Sequence, residues 1–135
     1  MALFLLPCAC LASCRGDASE TFDDARRAVR SWSATLAMTV EQWDRRQVPA
    51  LYVRQTVDAA RKSMREQKKK LAKAPADPRR EGLAREIERL ERRMADLSDA
   101  VGRDDRGAAS SVARALRVDL NLTSPAAGSE GGQGS

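Results

Sequence analysis

Ala74-Pro75-Ala76-Asp77-Pro78 separates two stretches whose apolar residues mirror each other, and that symmetry decides the fold. Before the break stand Val53, Val57, Ala60, Met64, Gln67 and Leu71. After it stand Leu83, Ile87, Leu90, Met94, Leu97 and Val101, and both sets advance in steps of 4, 3, 4, 3 and 4. Such spacing puts each set on one face of an α-helix. Pairing Leu71 with Leu83, Met64 with Leu90 and Val53 with Val101 satisfies every other position in the same antiparallel register. Gln67 opposite Ile87 is the one polar intruder and is expected to help fix that register. On the flanks, the register is expected to bring Arg61 near Glu91 and Lys70 near Glu86. Proline inside a helix costs about 3 kcal/mol, whereas Asp at the N-cap followed by Pro is a favourable helix start. The break therefore predicts an antiparallel hairpin over about 49–74 and 78–101, with Gly102 as its stop.

Upstream, Thr21 with Asp24 three residues later resembles a capping box. Phe22, Ala25, Val29, Trp32, Leu36, Val40 and Trp43 follow on one helical face. This predicts a first helix over about 21–46. Trp32 and Trp43 could form an aromatic ligand platform, but their place in the stripe favours core packing. Val48-Pro49 calls for a turn at 46–48 with the next helix starting at Pro49, the alternative being a kink in one long helix. The expected fold is all-α, a three-helix bundle of this helix on the hairpin, within a domain spanning 21–120. Beyond Gly102, Asp104-Asp105-Arg106-Gly107 reads as a loop, and Ala109, Val112, Ala113 and Leu116 allow a short fourth helix. The Ser/Pro/Gly-rich end, 121–135, reads as a disordered tail.

The chain has 135 residues, enough for one small domain, with 4% aromatic and 32% charged residues. That balance favours a thin helical assembly over a deep globular core. There is no histidine, which removes the commonest general base near neutral pH and the commonest metal ligand. Glu86, Glu88 and Glu91 make no carboxylate metal site, since they point to different sides of the hairpin seam and no Glu-x-x-His pair completes them. Glu88–Arg92 and Glu81–Arg85 read instead as i to i+4 helix support. Asp104-Asp105 lacks the further oxygen ligands of a calcium loop, and Ser63, Ser110 and Ser111 have no nameable base. Catalysis, cofactors and a small-molecule substrate are therefore not expected.

All three cysteines, Cys8, Cys10 and Cys14, fall in the first 14 residues, with no later cysteine to pair with them. They sit in or at the end of an uncharged run, Met1-Ala-Leu-Phe-Leu-Leu-Pro-Cys-Ala-Cys-Leu-Ala-Ser. It is too short for a membrane-spanning helix, which needs about 20 apolar residues. It has the apolar stretch and small residues of a secretory signal. No basic residue precedes it, and the segment is short, which would fit a true start codon upstream of Met1.

Leu11-Ala12-Ser13-Cys14 resembles a bacterial lipobox, the cleavage and lipidation signal of lipoprotein precursors. The resemblance covers these residues alone. It implies that residues 1–13 are a signal peptide removed before Cys14, and that the Cys14 thiol receives a diacylglyceryl group. It also implies a protein held at a membrane on the periplasmic side of the cell envelope. Arg15 after the cysteine implies sorting to the outer membrane in a Gram-negative cell. Two or three acyl chains hold a protein stably at a bilayer, which one does not. Residues 14–20 then read as a polar tether, at most about 23 Å from Cys14 to Thr21 if extended. Arg15-Gly16-Asp17, although it spells an integrin-recognition tripeptide, reads as chance.

The formal charge is +5 and is concentrated: residues 44–73 carry ten basic and three acidic side chains. Within them, Arg61, Lys62, Arg65, Lys68, Lys69, Lys70 and Lys73 form the most visible surface feature. They suit an anionic partner, whether lipid headgroups, lipopolysaccharide, an acidic protein or nucleic acid. The plainer reading is a solvated flank of the hairpin. Nucleic acid would be the first thought for a cytosolic protein, but interleaved aromatics and a recognisable binding motif are missing, and export removes most such targets. The expected role is thus a lipid-anchored, non-enzymatic structural or interaction module, with a protein partner or self-association as further contacts. Its rivals are a cytosolic nucleic-acid-binding protein and an accessory lipoprotein, a chaperone or inhibitor of an envelope enzyme.

Overall fold

Two helical stripes that mirror each other must close on one another, and the rest of the chain packs around that seam. The computed structural model describes residues 14–123, with side chains from 18 to 122. The expected signal peptide, with Cys8 and Cys10, and all but 121–123 of the expected tail lie outside the described residues. The described chain forms α1 (Cys14–Asp44), α2 (Ala50–Lys73), α3 (Arg79–Gly102) and α4 (Arg106–Thr123).

The antiparallel hairpin forms, with α2 packed on α3. Every expected seam residue of α2 and α3 is buried except Gln67, which is half-buried. The flank pairs differ from expectation. Lys68, not Arg61, holds Glu91 (Nζ–Oε2 2.9 Å), and Arg61 Nη2 donates to Ser98 Oγ at 3.0 Å. These two contacts lie seven residues apart in opposite directions along α2 and α3, so they belong to one register, with Glu91 paired one heptad from the expected place. Lys70 and Glu86 do not meet. Both Glu86 Oε2 and Gln67 Oε1 are buried without a hydrogen-bond partner among the described residues. Glu81–Arg85 forms at 3.7 Å, and Glu88 and Arg92 make no ion pair.

The bundle has four helices rather than three. Each packs on its neighbours in the chain, α4 returns to α1, and α2 and α4 stay apart across the diagonal. Asp23 lies 3.8 Å from Arg79, so α1 and α3 start at the same end. Arg106 donates to the Trp43 carbonyl, so α4 starts where α1 finishes. The topology is up-down-up-down, with short loops as in many four-helix bundles. The hairpin loop 74–78 marks one end, here the tip; the loops 45–49 and 103–105 mark the other. Helix α1 touches all three partners, which is why Ser33, Ala37 and Thr39 are buried beside its apolar stripe. Thr39 settles its hydroxyl on the Thr35 carbonyl at 2.8 Å. Of the two tryptophans, Trp43 is fully buried and Trp32 packs partly buried against the core.

Local chemistry sets the ends. The turn expected before Pro49 is present, and Pro49 is the extended residue ahead of α2. Arg46 at φ 60° terminates α1: Gln47 N donates to Gln42 O and Arg46 N to Trp43 O, the paired bonds of a Schellman motif. The same pattern ends α3, with Asp104 at φ 53°, Asp105 N on Ala100 O and Asp104 N on Val101 O. The left-handed residue is therefore Asp104, and Gly102, expected as the stop, is the last helical residue. Asp105 then caps α4, accepting the Ala108 N–H at 2.9 Å. At the other end, α1 runs through Thr21 back to Cys14, so the stretch expected as a tether is two helical turns and Thr21 is no cap. Extending a helix that is already nucleated and packed is favourable enough to absorb one glycine, at about 1 kcal/mol.

Asp77 caps α3 as expected: its Oδ1 accepts the Arg79 N–H at 2.8 Å, while Oδ1 and Oδ2 also receive the Arg79 guanidinium at 3.1 and 3.0 Å. The Arg79 side-chain bonds, followed by the Arg79 backbone N–H, hold the Asp77 carboxyl below its ordinary range. A depressed folded-state value means that the charged carboxylate stabilises the fold fully above the unfolded-state value, near pH 4. That stabilisation disappears as pH falls through the folded-state value. Asp77→Ala is expected to lower the melting temperature at neutral pH, with the gap to wild type shrinking below about pH 4. Thermal melts of both proteins across acid pH check this; a gap that widens in acid would contradict it.

Candidate functional site

The basic residues expected to act together are divided by helix geometry into two sets. Arg61 and Lys68 lie on the flank of α2 that faces α3 and are occupied by Ser98 and Glu91, with Asp58 3.7 Å from Arg61. Lys62, Arg65, Lys69 and Lys73 step by 3, 4 and 4 along the outer face of α2, and all four are exposed. Lys70 is exposed on the remaining flank. None of these five makes an ion pair among the described residues. Like charges at i and i+4, as at Lys69 and Lys73, repel, and apart from the helix C-terminus that Lys70 and Lys73 face in the last turn of α2, no ion-pair partner offsets this among the described residues.

Three of them, Lys69, Lys70 and Lys73, occupy the last turn and a half of α2, at the tip. Two more cations stand there, but the fold uses both. Arg79 is clamped by Asp77, approached by Asp23, and stacked 5.1 Å over the Phe22 ring. Its charged form is favoured first by the Asp77 side-chain bond. Arg80 donates to the Ala74 and Pro75 carbonyls, satisfying the end of α2 and the loop. Sequence reasoning placed neither arginine in a role, although cations just after Asp-Pro were the available signal. Between α2 and α3 near the tip lies a groove of about 210 Å³, floored by Leu71, Ala72, Ala84 and Ile87 and rimmed by Lys68 and Arg80.

Cys14 is the first residue of α1, and the Asp23–Arg79 contact puts that end of α1 at the tip. Nine residues of helix separate Cys14 from Asp23, a rise of about 13 Å. Cys14 and the unpaired lysines thus belong to the same end of the bundle. Nothing in the sequence pattern alone joined them, because the link passes through the parallel start of α1 and α3.

Elsewhere, ion pairs tie α4 to its neighbours. Asp119 accepts Arg93 at 3.2 Å and lies 3.9 Å from Arg89, tying α4 to α3. Arg117 pairs with Glu41, tying α4 to α1. Among the described residues, no group of three or more His, Cys, Asp or Glu side chains is placed to hold a metal ion, and no helix is long and apolar enough to cross a membrane. Comparison of the chain with protein-family models, with curated proteins and with solved structures finds no match.

Proposed function

We propose that this chain is the precursor of a lipid-anchored bacterial envelope protein whose four-helix bundle is a non-enzymatic structural or protein-interaction module. The observation that carries the reading is Leu11-Ala12-Ser13-Cys14 at the end of an uncharged apolar run. A single segment supplies the apolar stretch, the small residues and the cysteine that lipoprotein processing requires. Cleavage before Cys14 would remove Cys8 and Cys10 and consume the third thiol, leaving a mature chain with no cysteine chemistry. The anchor would hold the bundle at the periplasmic face of a membrane, the outer membrane in a Gram-negative cell. Helical pairing across the whole of α1 to α4 provides a rigid body, and the unpaired cations of α2 give it a charged face for partners.

Metabolic labelling with an alkyne palmitate analogue tests this directly. Wild type should take up label and fractionate with membranes, whereas Cys14→Ser should take up none and keep the unprocessed N-terminus. Label that persists in Cys14→Ser, or is absent from wild type, would sink the proposal.

A further inference from the structure

We infer that the tip of the bundle is a docking surface for anionic lipid headgroups, with Lys69, Lys70 and Lys73 making the contact. The orientation rests on the lipid-anchor reading of Cys14; the surface itself does not. The three lysines are exposed and unpaired among the described residues, while Arg79 and Arg80 beside them are held by the fold. Charge is also distributed by end. The tip segments, residues 14–27, 65–85 and 117–123, carry twelve basic and eight acidic side chains. The distal segments, 37–58 and 96–107, carry five and seven. The molecule is therefore positive where α1 begins and negative at the far end.

Distances fit the same arrangement. Helix from Cys14 to Thr21, the level of the α2 terminus, rises about 10 Å. With acyl chains at Cys14, that residue lies at the boundary of the hydrocarbon, and the headgroup layer above it is roughly 5–8 Å deep. The tip then stands within a few ångströms of the headgroups, inside the Debye length of about 8 Å at physiological salt. A flexible extended tether would have let the bundle tumble; a helical one directs the tip towards the surface. Near an anionic bilayer each lysine strengthens binding about fivefold, so three together give roughly a hundredfold.

The test uses the full chain carrying Cys14→Ser, so that acylation does not mask the lysines. Its partition onto vesicles of phosphatidylcholine, with and without one-third phosphatidylglycerol, is compared with that of the same chain carrying K69Q, K70Q and K73Q. A third protein removes the same charge from the distal end through R45Q, R54Q and R103Q, all at exposed positions. The expected result is a roughly hundredfold loss on anionic vesicles for the lysine variant, abolished by high salt, and little loss for the distal variant. Equal partition of the lysine variant and its parent overturns the inference, even if palmitate labelling of Cys14 succeeds. Equal losses from both ends overturn it too, since net charge alone would then explain binding. Lysine-dependent binding without palmitate labelling supports the docking surface and removes the anchor. Circular dichroism of all three proteins confirms that the bundle is intact.

Discussion

Trp43→Ala is expected to cost the bundle about 3–5 kcal/mol, the range for removing a large buried aromatic. Trp43 is 2% exposed at the end of α1, the point where loops leave the bundle and cores usually fray. Its ring carries the Arg106 guanidinium at 4.5 Å, and the same guanidinium donates to the Trp43 carbonyl and, at 3.4 Å, to that of Asp44. One side chain from the first residue of α4 thus covers the indole and satisfies carbonyls at the negative end of α1. Removing the indole leaves a cavity and takes away the stacking partner of Arg106. Small domains have about 5–15 kcal/mol in total, so the loss would consume a large share of the stability. Urea titration followed by far-ultraviolet circular dichroism measures it, with Trp43→Phe as the control that keeps an aromatic ring and costs much less. A loss below about 1 kcal/mol would mean that position 43 is not part of the core.

Trp43 was legible in the sequence because it completes a stripe begun at Phe22, and the hairpin was legible for the same reason. Large apolar residues at steps of 3 and 4 specify a face whatever the neighbours do. What the pattern could not specify was detail that depends on small or polar groups. Glu91 took Lys68 because flank contacts in an antiparallel pair are offset along the helices by where the Cβ bonds point. The stop after α3 fell on Asp104, since an aspartate tolerates the left-handed conformation at modest cost, and Gly102 was not needed for it.

The candidate site was legible in its parts and not in its assembly. The lysine run is plain in the sequence, but only packing shows that Glu91 and Ser98 remove Lys68 and Arg61 from it. Only the Asp23–Arg79 contact shows that Cys14 and the remaining lysines share one end. The stretch 14–20 reads as a polar tether and its helical form is not legible, because polar composition says little about a segment that continues a packed helix. That difference bears on function, because a helical spacer gives an anchored bundle an orientation.

Leu116→Ala tests the element that sequence reasoning undervalued. The α4 stripe consists of Ala109, Ala113 and Leu116, all buried, and its alanines give a weak apolar signal. Alanine's small size is the structural advantage: it lets α4 pack closely on α1, with Leu116 its largest buried side chain and Val112 partly buried beside it. Leu116 is 1% exposed and lines, with Val29, Ser33 and Leu90, a cavity of about 20 Å³ between α1, α3 and α4. Truncation enlarges a void that three helices already fail to close, which places the expected loss in the upper part of the 2–5 kcal/mol range. Because Asp119 and Arg117 tie α4 to both neighbours, the loss should appear in one cooperative transition of the whole bundle. Denaturation read by circular dichroism, with hydrogen exchange of the α4 amides, distinguishes the alternatives. A loss below about 1 kcal/mol, with α4 amides exchanging far faster than those of α2 and α3, would make α4 an independently fraying appendage and restore the three-helix core. A loss of several kcal/mol with uniform protection would make α4 a full member of the fold.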